Sequence, residues 1–122
     1  MSDEPAVPEF AGEPAVRVRV YIGERDHHGG QPLYTAIVQA ARKAGLGGAT
    51  VVKGIEGFGA HSVVHAARII DMSSDLPIVI ELVDTSTKMA PFVETLKAMV
   101  DDGMITLDRT TLLYNAAGTK RP

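Results

Sequence analysis

Gly48-Ala49-Thr50-Val51-Val52-Lys53-Gly54-Ile55-Glu56-Gly57-Phe58-Gly59-Ala60-His61 carries an apolar strand pattern into three closely spaced glycines and then a histidine. Thr50, Val51, Val52 and Ile55 are β-branched and suit a pleated, half-buried surface, so the stretch reads as a strand feeding a loop. Gly54, Gly57 and Gly59 remove side chains where a backbone must bend or come close to something. Such glycines can turn successive N–H groups into an anion-binding concavity, and they equally suit a bulged strand end that holds no ligand. No Lys-Ser/Thr pair follows them, and their spacing matches neither a P-loop nor a dinucleotide fingerprint.

Upstream of this stretch, Leu33, Ile37, Ala40, Ala41 and Ala44 recur at helical spacing, which predicts a helix from about Pro32 to Ala44 with Gly45 as its stop. Pro32 suits a first helical position, and Arg42 and Lys43 favour the last turn. Before the helix, Gly23 to Gly30 reads as a polar loop closed by glycines. Before that loop, Val16, Val18, Val20 and Ile22 alternate with Arg17, Arg19 and Tyr21, the period of a strand covered on one face. Residues 1–15 carry three prolines and four acidic residues with no basic one, a composition read as a disordered N-terminal arm.

Downstream, residues 61–72 have helical spacing for His61, His65 and Arg68 but β-branched content throughout, which leaves a helical turn and an extended excursion both open. Leu76 to Val83 is a strand nearly apolar on both faces. Asp84 to Thr87 offers N-cap residues for a second helix, with Met89, Phe92, Val93, Leu96, Met99 and Val100 as its apolar stripe. Met104 to Tyr114 supports a last strand, and residues 115–122 read as a flexible tail.

The order strand, helix, strand, strand, helix, strand over residues 16–114 predicts an α+β, ferredoxin-like βαββαβ sandwich, a four-stranded antiparallel sheet with two helices on one face. The other face is then bare. It would carry Val79, Glu81 and Val83 with Arg17, Arg19 and either Thr50 and Val52 or Val51 and Lys53, a mixture that calls for a partner subunit. Arg17, Arg19, Lys53 and Glu81 are the charges expected to pair across or beside that interface.

At 122 residues and 45% apolar content the chain supports one core and not two. It has no cysteine, which excludes disulfides, a thiolate nucleophile and cysteine zinc sites. A net charge of −3 with six Phe and Tyr and no Trp argues against a nucleic-acid footprint. No apolar run approaches the roughly 20 residues of a membrane span, and the N-terminus lacks a signal-peptide pattern, so a cytoplasmic location without membrane insertion is expected.

Several motifs occur in one linked order between Val16 and Tyr114: Tyr21-Ile22-Gly23-Glu24, Pro32-Leu33-Tyr34, Gly45-Leu46-Gly47-Gly48-Ala49-Thr50-Val51, Gly54-Ile55-Glu56-Gly57-Phe58-Gly59, Asp75-Leu76-Pro77 and Glu81-Leu82-Val83-Asp84. Together they resemble domain-of-unknown-function family 190, which is PII-like. More distantly the chain is similar to PII nitrogen-regulatory signalling proteins, in which a Gly-Phe-Gly element after the second strand opens a long loop beside an adenine-nucleotide cleft between subunits of a trimer. The resemblance implies a regulatory protein, not an enzyme: a homotrimer that binds a small ligand between subunits and modulates a partner protein. It places Gly57, Phe58 and Gly59 in the cleft, with a shorter loop from His61 to Arg68. Asp101-Asp102-Gly103-Met104 stands where PII proteins carry a glycine-lysine phosphate loop, and adjacent carboxylates repel a triphosphate. A less charged adenine nucleotide or another small anion is the ligand this favours.

The ligand-binding set expected is therefore Gly54, Gly57, Phe58, Gly59, His61, Arg68 and Arg25, the arginines supplying planar forks for phosphate or carboxylate. No cofactor beyond such a nucleotide is expected. The alternative is a ligand-independent module whose loop from His61 to Asp71 docks onto a membrane transporter, a fluoride-linked one by the gene association of the resembling family. His27 and His28 beside Asp26, and His61 with His65, have metal-ligand character, but sequence fixes no third ligand and none is assigned. His61-Ser62 has no orienting acid or oxyanion element, so no catalytic residue is assigned.

Overall fold

The computed structural model describes residues 10–59 and 75–116. The alternation in β1 (Glu13–Gly23) has the predicted outcome: Val16, Val18, Val20 and Ile22 are buried while Arg17, Arg19 and Tyr21 are half-buried on the opposite face. Two short strands follow, β2 (His27–His28) and β3 (Gln31–Pro32), which pair around Gly29 and Gly30. Both glycines have positive φ, +60° and +82°, as a two-residue hairpin turn of the I′ type requires. The segment read as a loop is thus a small hairpin that leads into α1 (Leu33–Lys43).

α1 stops where Gly45 adopts φ +78°. The Leu46 N–H donates to the Ala41 carbonyl and the Gly45 N–H to Arg42, a Schellman closure that turns the chain toward β4 (Ala49–Lys53). β5 (Pro77–Asp84) leads into α2 (Ser86–Met99), which Thr85 caps by accepting the Lys88 N–H, and β6 (Met104–Leu112) completes the chain.

The four main strands form one antiparallel sheet in the order β4-β5-β1-β6, the ferredoxin-like arrangement expected. Both helices pack on one face. Leu33, Ile37 and Ala41 of α1 and Met89, Phe92 and Leu96 of α2 share a single core with Val16, Val18, Val20, Ile22, Ile78, Ile80 and Leu82. β5, apolar on both sides in sequence, buries Ile78, Ile80 and Leu82 under the helices and leaves Val79, Glu81 and Val83 half-buried on the bare face. Thr50 pairs with Glu81 and Val52 with Val79, so the open face takes Thr50 and Val52. Lys53 pairs with Ile78 and lies on the helix side, which removes it from the open-face charges with which it was grouped.

One boundary is corrected. Glu13, Pro14 and Ala15, assigned to a disordered arm by composition, are strand residues paired with Leu112, Thr111 and Thr110 of β6. Pro14 is tolerated because β1 overhangs β5 there, whose last partner is Val16, and Ala15 is buried. The rest of the arm, residues 1–9, and the tail beyond residue 116 lie outside the described residues.

The C-terminal end of β5 is fastened by Asp84, a buried acidic residue. Its carboxylate accepts the Gly47 N–H at 2.9 Å and the Thr85 N–H at 2.7 Å, which ties the α1–β4 connection to the start of α2. Lys88 stands 3.8 Å from the same carboxylate and donates to the Gly45 carbonyl. Asp84→Ala is expected to lower the unfolding free energy by about 2 kcal/mol, the scale of losing hydrogen bonds to a charged acceptor. Urea denaturation of both proteins measures it.

Candidate functional site

The residues singled out in sequence converge on one end of the sheet, where β4 ends, β1 ends and β5 begins. The Gly54 N–H donates to the Pro77 carbonyl at 2.7 Å, which continues the β4–β5 ladder one residue past Lys53. A Cβ on Gly54 would lie 2.7 Å from Cγ of Pro77, and one on Gly57 would lie 3.1 Å from the same atom. Gly57 has φ +155°. The glycines are therefore required by a close approach of this segment to the Pro77 ring. Held there, the segment turns its two large apolar side chains outward: Ile55 is 88% exposed and Phe58 71%.

The two residues just before β5 fix the turn after β1. The Glu24 N–H donates to the Leu76 carbonyl at 2.8 Å and the Arg25 N–H to Asp75 Oδ1 at 2.8 Å. Asp75 packs so tightly beneath Gly23 that a Cβ there would stand 2.5 Å from its carboxylate. Asp26 accepts the Gly23 N–H through its side chain and the Leu33 N–H through its carbonyl, which joins this turn to the start of α1. His27 donates from Nδ1 to the Arg25 carbonyl at 2.6 Å. Lys53 and Glu24 close the end of the sheet with an ion pair of 2.7 Å.

Arg25, Gly54, Gly57, Phe58 and Gly59 are thus gathered at one sheet end, while His61 and Arg68, together with His65 and the docking loop proposed from sequence, lie outside the described residues. Asp75, Pro77 and Glu24 were given no role from sequence, although Asp75-Leu76-Pro77 was visible as a motif. Their partners sit on other strands, and the Asp75–Arg25 bond spans 50 positions of chain. Chemically, the arrangement offers a cation at Lys53, the exposed side chain of Arg25 and an exposed apolar edge, and among the described residues it brings together no nucleophile with its base.

The open sheet face begins at the same end. Val52, Val79, Tyr21 and Met104 are successive cross-strand partners and form one apolar row across all four strands, with Val52 and Met104 more than half exposed. The next row is Thr50, Glu81, Arg19 and Thr106. Beyond it Arg17 grips Asp108 through two nitrogens, at 3.3 and 2.6 Å, and Arg19 stands 3.8 Å away. The hydrogen bond from Arg17 holds the Asp108 carboxyl below the usual carboxylate range, and Asp108 in turn raises the Arg17 guanidinium. Sequence reading expected Arg17 and Arg19 to pair across or beside an interface; Asp108 of the same chain, not singled out there, is the partner both have in the structure.

This sandwich has the architecture of PII-like proteins. It is similar to the solved structure of CPII from Thiomonas intermedia K12 bound to ADP and bicarbonate, with a TM-score of 0.63 at 16% identity over 87% of this chain and 95% of that one. A second CPII structure, described as a nitrogen regulatory PII-like protein bound to ADP, AMP and bicarbonate, gives 0.66 at 14% identity over 87% and 94%. The chain belongs to the family DUF190, "Uncharacterized ACR", whose model matches residues 15–112. A UPF0166 protein of Aquifex aeolicus (strain VF5) is 31% identical over 97 residues, 80% of this chain and 91% of that protein. One of Methanocaldococcus jannaschii is 37% identical over 67 residues, 55% and 61% of the two chains. No helix among the described residues is long and apolar enough to cross a membrane.

Two tests follow from these contacts. Gly54→Ala forces its Cβ against Pro77 and is expected to cost about 1–3 kcal/mol of stability, the usual scale of overpacking. The double variant Gly54→Ala/Pro77→Ala should recover part of that loss in urea denaturation. For Asp108, a carboxyl titrating lower in the folded than in the unfolded chain stabilises above the unfolded value of about 3.9 and loses that contribution as pH falls through the folded one. Asp108→Asn should therefore lower Tm at pH 7, and the gap from the parent should close as thermal melts are taken below about pH 4.

Proposed function

We propose that the protein is a PII-like regulatory protein, not an enzyme, that binds an adenine nucleotide or another small anion in a cleft between subunits and thereby modulates a partner protein. The observation that carries this reading is the end of β4, where Gly54 and Gly57 lie against Pro77 and Phe58 is exposed at the sheet end that also holds the Arg25 turn. A rigid backbone edge flanked by an apolar side chain and cations suits a ligand with a planar apolar part and an anionic part. The similarity in fold to structures solved with ADP, AMP and bicarbonate supports that choice of ligand. Asp101 and Asp102 weigh against a third phosphate.

The placement between subunits rests on the open face. At about 25 cal/mol per Å² of apolar surface, leaving Val52, Val79, Val83 and Met104 wet forgoes a few kcal/mol in a small domain, and a second subunit supplies the cover. A trimer is the stoichiometry carried by the PII likeness. The apolar row of that face reaches the sheet end that holds Phe58 and Arg25, so a neighbouring subunit seated there would wall the site.

Thermal unfolding with ADP, AMP, ATP and bicarbonate tests the ligand. ADP or AMP at about 100 times its Kd should stabilise the protein by about 2.7 kcal/mol, with ATP weaker, and no shift with any of the four overturns the binding reading. Light scattering tests the assembly: a mass near three times the 13.0 kDa of one chain is expected, Val79→Asp should abolish it, and a clean monomer overturns the intersubunit cleft.

A further inference from the structure

Lys53 is the last residue of β4, directly before Gly54, and Glu24 directly follows β1. Since β5 lies between those strands, their 2.7 Å ion pair reaches across the start of β5 beside the glycine segment. Two of the neighbouring carboxylates have other work. Asp75 accepts the Arg25 N–H and Asp26 the Gly23 N–H, so both hold the backbone of the turn in place. Glu24 bonds by its side chain to Lys53, and that pair is open to water, with side-chain exposures of 31% for Glu24 and 53% for Lys53. The backbone around Lys53 has little freedom to adjust, because Gly54 is packed on Pro77, but the lysine amine sits on a four-carbon stem that re-aims without it.

The charge balance at this end opposes an anion. Among the described residues, the segments that meet there carry Glu24, Asp26, Glu56 and Asp75 against Arg25 and Lys53, four negative charges to two positive. An anionic ligand therefore needs a cation in direct contact to offset that repulsion, and the exposed pair is the one whose rupture costs least. We infer that Lys53 is a ligand-anchoring cation held in reserve by Glu24, and that binding of an anionic nucleotide exchanges the Glu24 carboxylate for a ligand phosphate on Lys53 Nζ. This deepens the proposed ligand reading and rests on it. Glu24 then acts as a built-in competitor: it weakens phosphate-bearing ligands and has no effect on a ligand without phosphate.

The test is calorimetric titration of the full chain and its variants with ADP and with adenosine. Glu24→Gln removes the competitor and should tighten ADP roughly threefold to fivefold, the equilibrium range of an exposed ion pair, and leave adenosine unchanged. Lys53→Gln should weaken ADP by about tenfold, the scale of one charge-assisted hydrogen bond, and Lys53→Arg should restore most of it. Glu24→Gln that leaves ADP affinity unchanged or lowers it overturns the exchange even if Lys53→Gln fails to fold. A parallel change in adenosine affinity also overturns it, by exposing a general distortion. If the parent protein binds no ADP, the ligand reading itself falls and the exchange with it; if the parent binds ADP and the variants behave like it, only the exchange falls.

Discussion

The register between β1 and β5 is the constraint on which the rest of the structure depends. Val20 opposite Ile80, with Val18 opposite Leu82 and Ile22 opposite Ile78, puts the buried apolar residues of the two central strands together under the helices. Because side chains alternate, a slip of one residue in either strand would carry its arginines or its Glu81 into the core and its valines and isoleucines out. That register also builds the site. It sets Gly23 opposite Pro77, which brings Asp75 beneath the β1 turn and the Pro77 ring against Gly54 and Gly57. Core and candidate site are two ends of one alignment, so neither is free to vary without the other.

What was legible in the sequence were features whose cause is local. The alternation of Val16 to Ile22, the helical spacing from Leu33 to Ala41, the glycine stop at Gly45 and a cap within Asp84 to Thr87 all act within a few residues, and each appears where it was read, Thr85 being the cap among the candidates. Composition misled at Glu13 to Ala15, because prolines and acids describe an isolated segment and β6 supplies the pairing that composition does not contain. The site was half legible. The glycines announced that something must come close, but the Pro77 ring that comes close lies on another strand. Asp75 to Arg25, Asp84 to Gly47 and Arg17 to Asp108 span 50, 37 and 91 positions, and no local pattern encodes such partners.

Two kinds of carboxylate emerge from this arrangement. Asp26, Asp75 and Asp84 accept backbone N–H groups, so their charge is consumed in fixing turns. Glu24 and Asp108 pair with side-chain cations at the surface. The first kind cannot change partner without releasing a turn, whereas the second kind can, because an exposed pair loses little when water or another ion replaces one member. Aspartate serves the first role for a geometric reason: its short side chain reaches an amide one to three residues away, as Asp26 does to Gly23 and Asp84 to Thr85.

The open face shows the same economy of charge. Arg17 and Arg19 share Asp108 within the chain, and Glu81 lies directly opposite Arg19, so the middle of the face is electrically balanced before any second subunit arrives. A face whose charges are already paired can be covered without stranding an ion, which is the usual obstacle to burying arginine. The apolar row is not spread over that face but collected at one end, from Val52 through Val79 and Tyr21 to Met104. That end is also where the glycine segment turns Ile55 and Phe58 outward, so the part of the face with most to gain from cover adjoins the candidate site. An assembly seated there would couple ligand occupancy to subunit contact through one strip of sheet, with no hinge or second domain required.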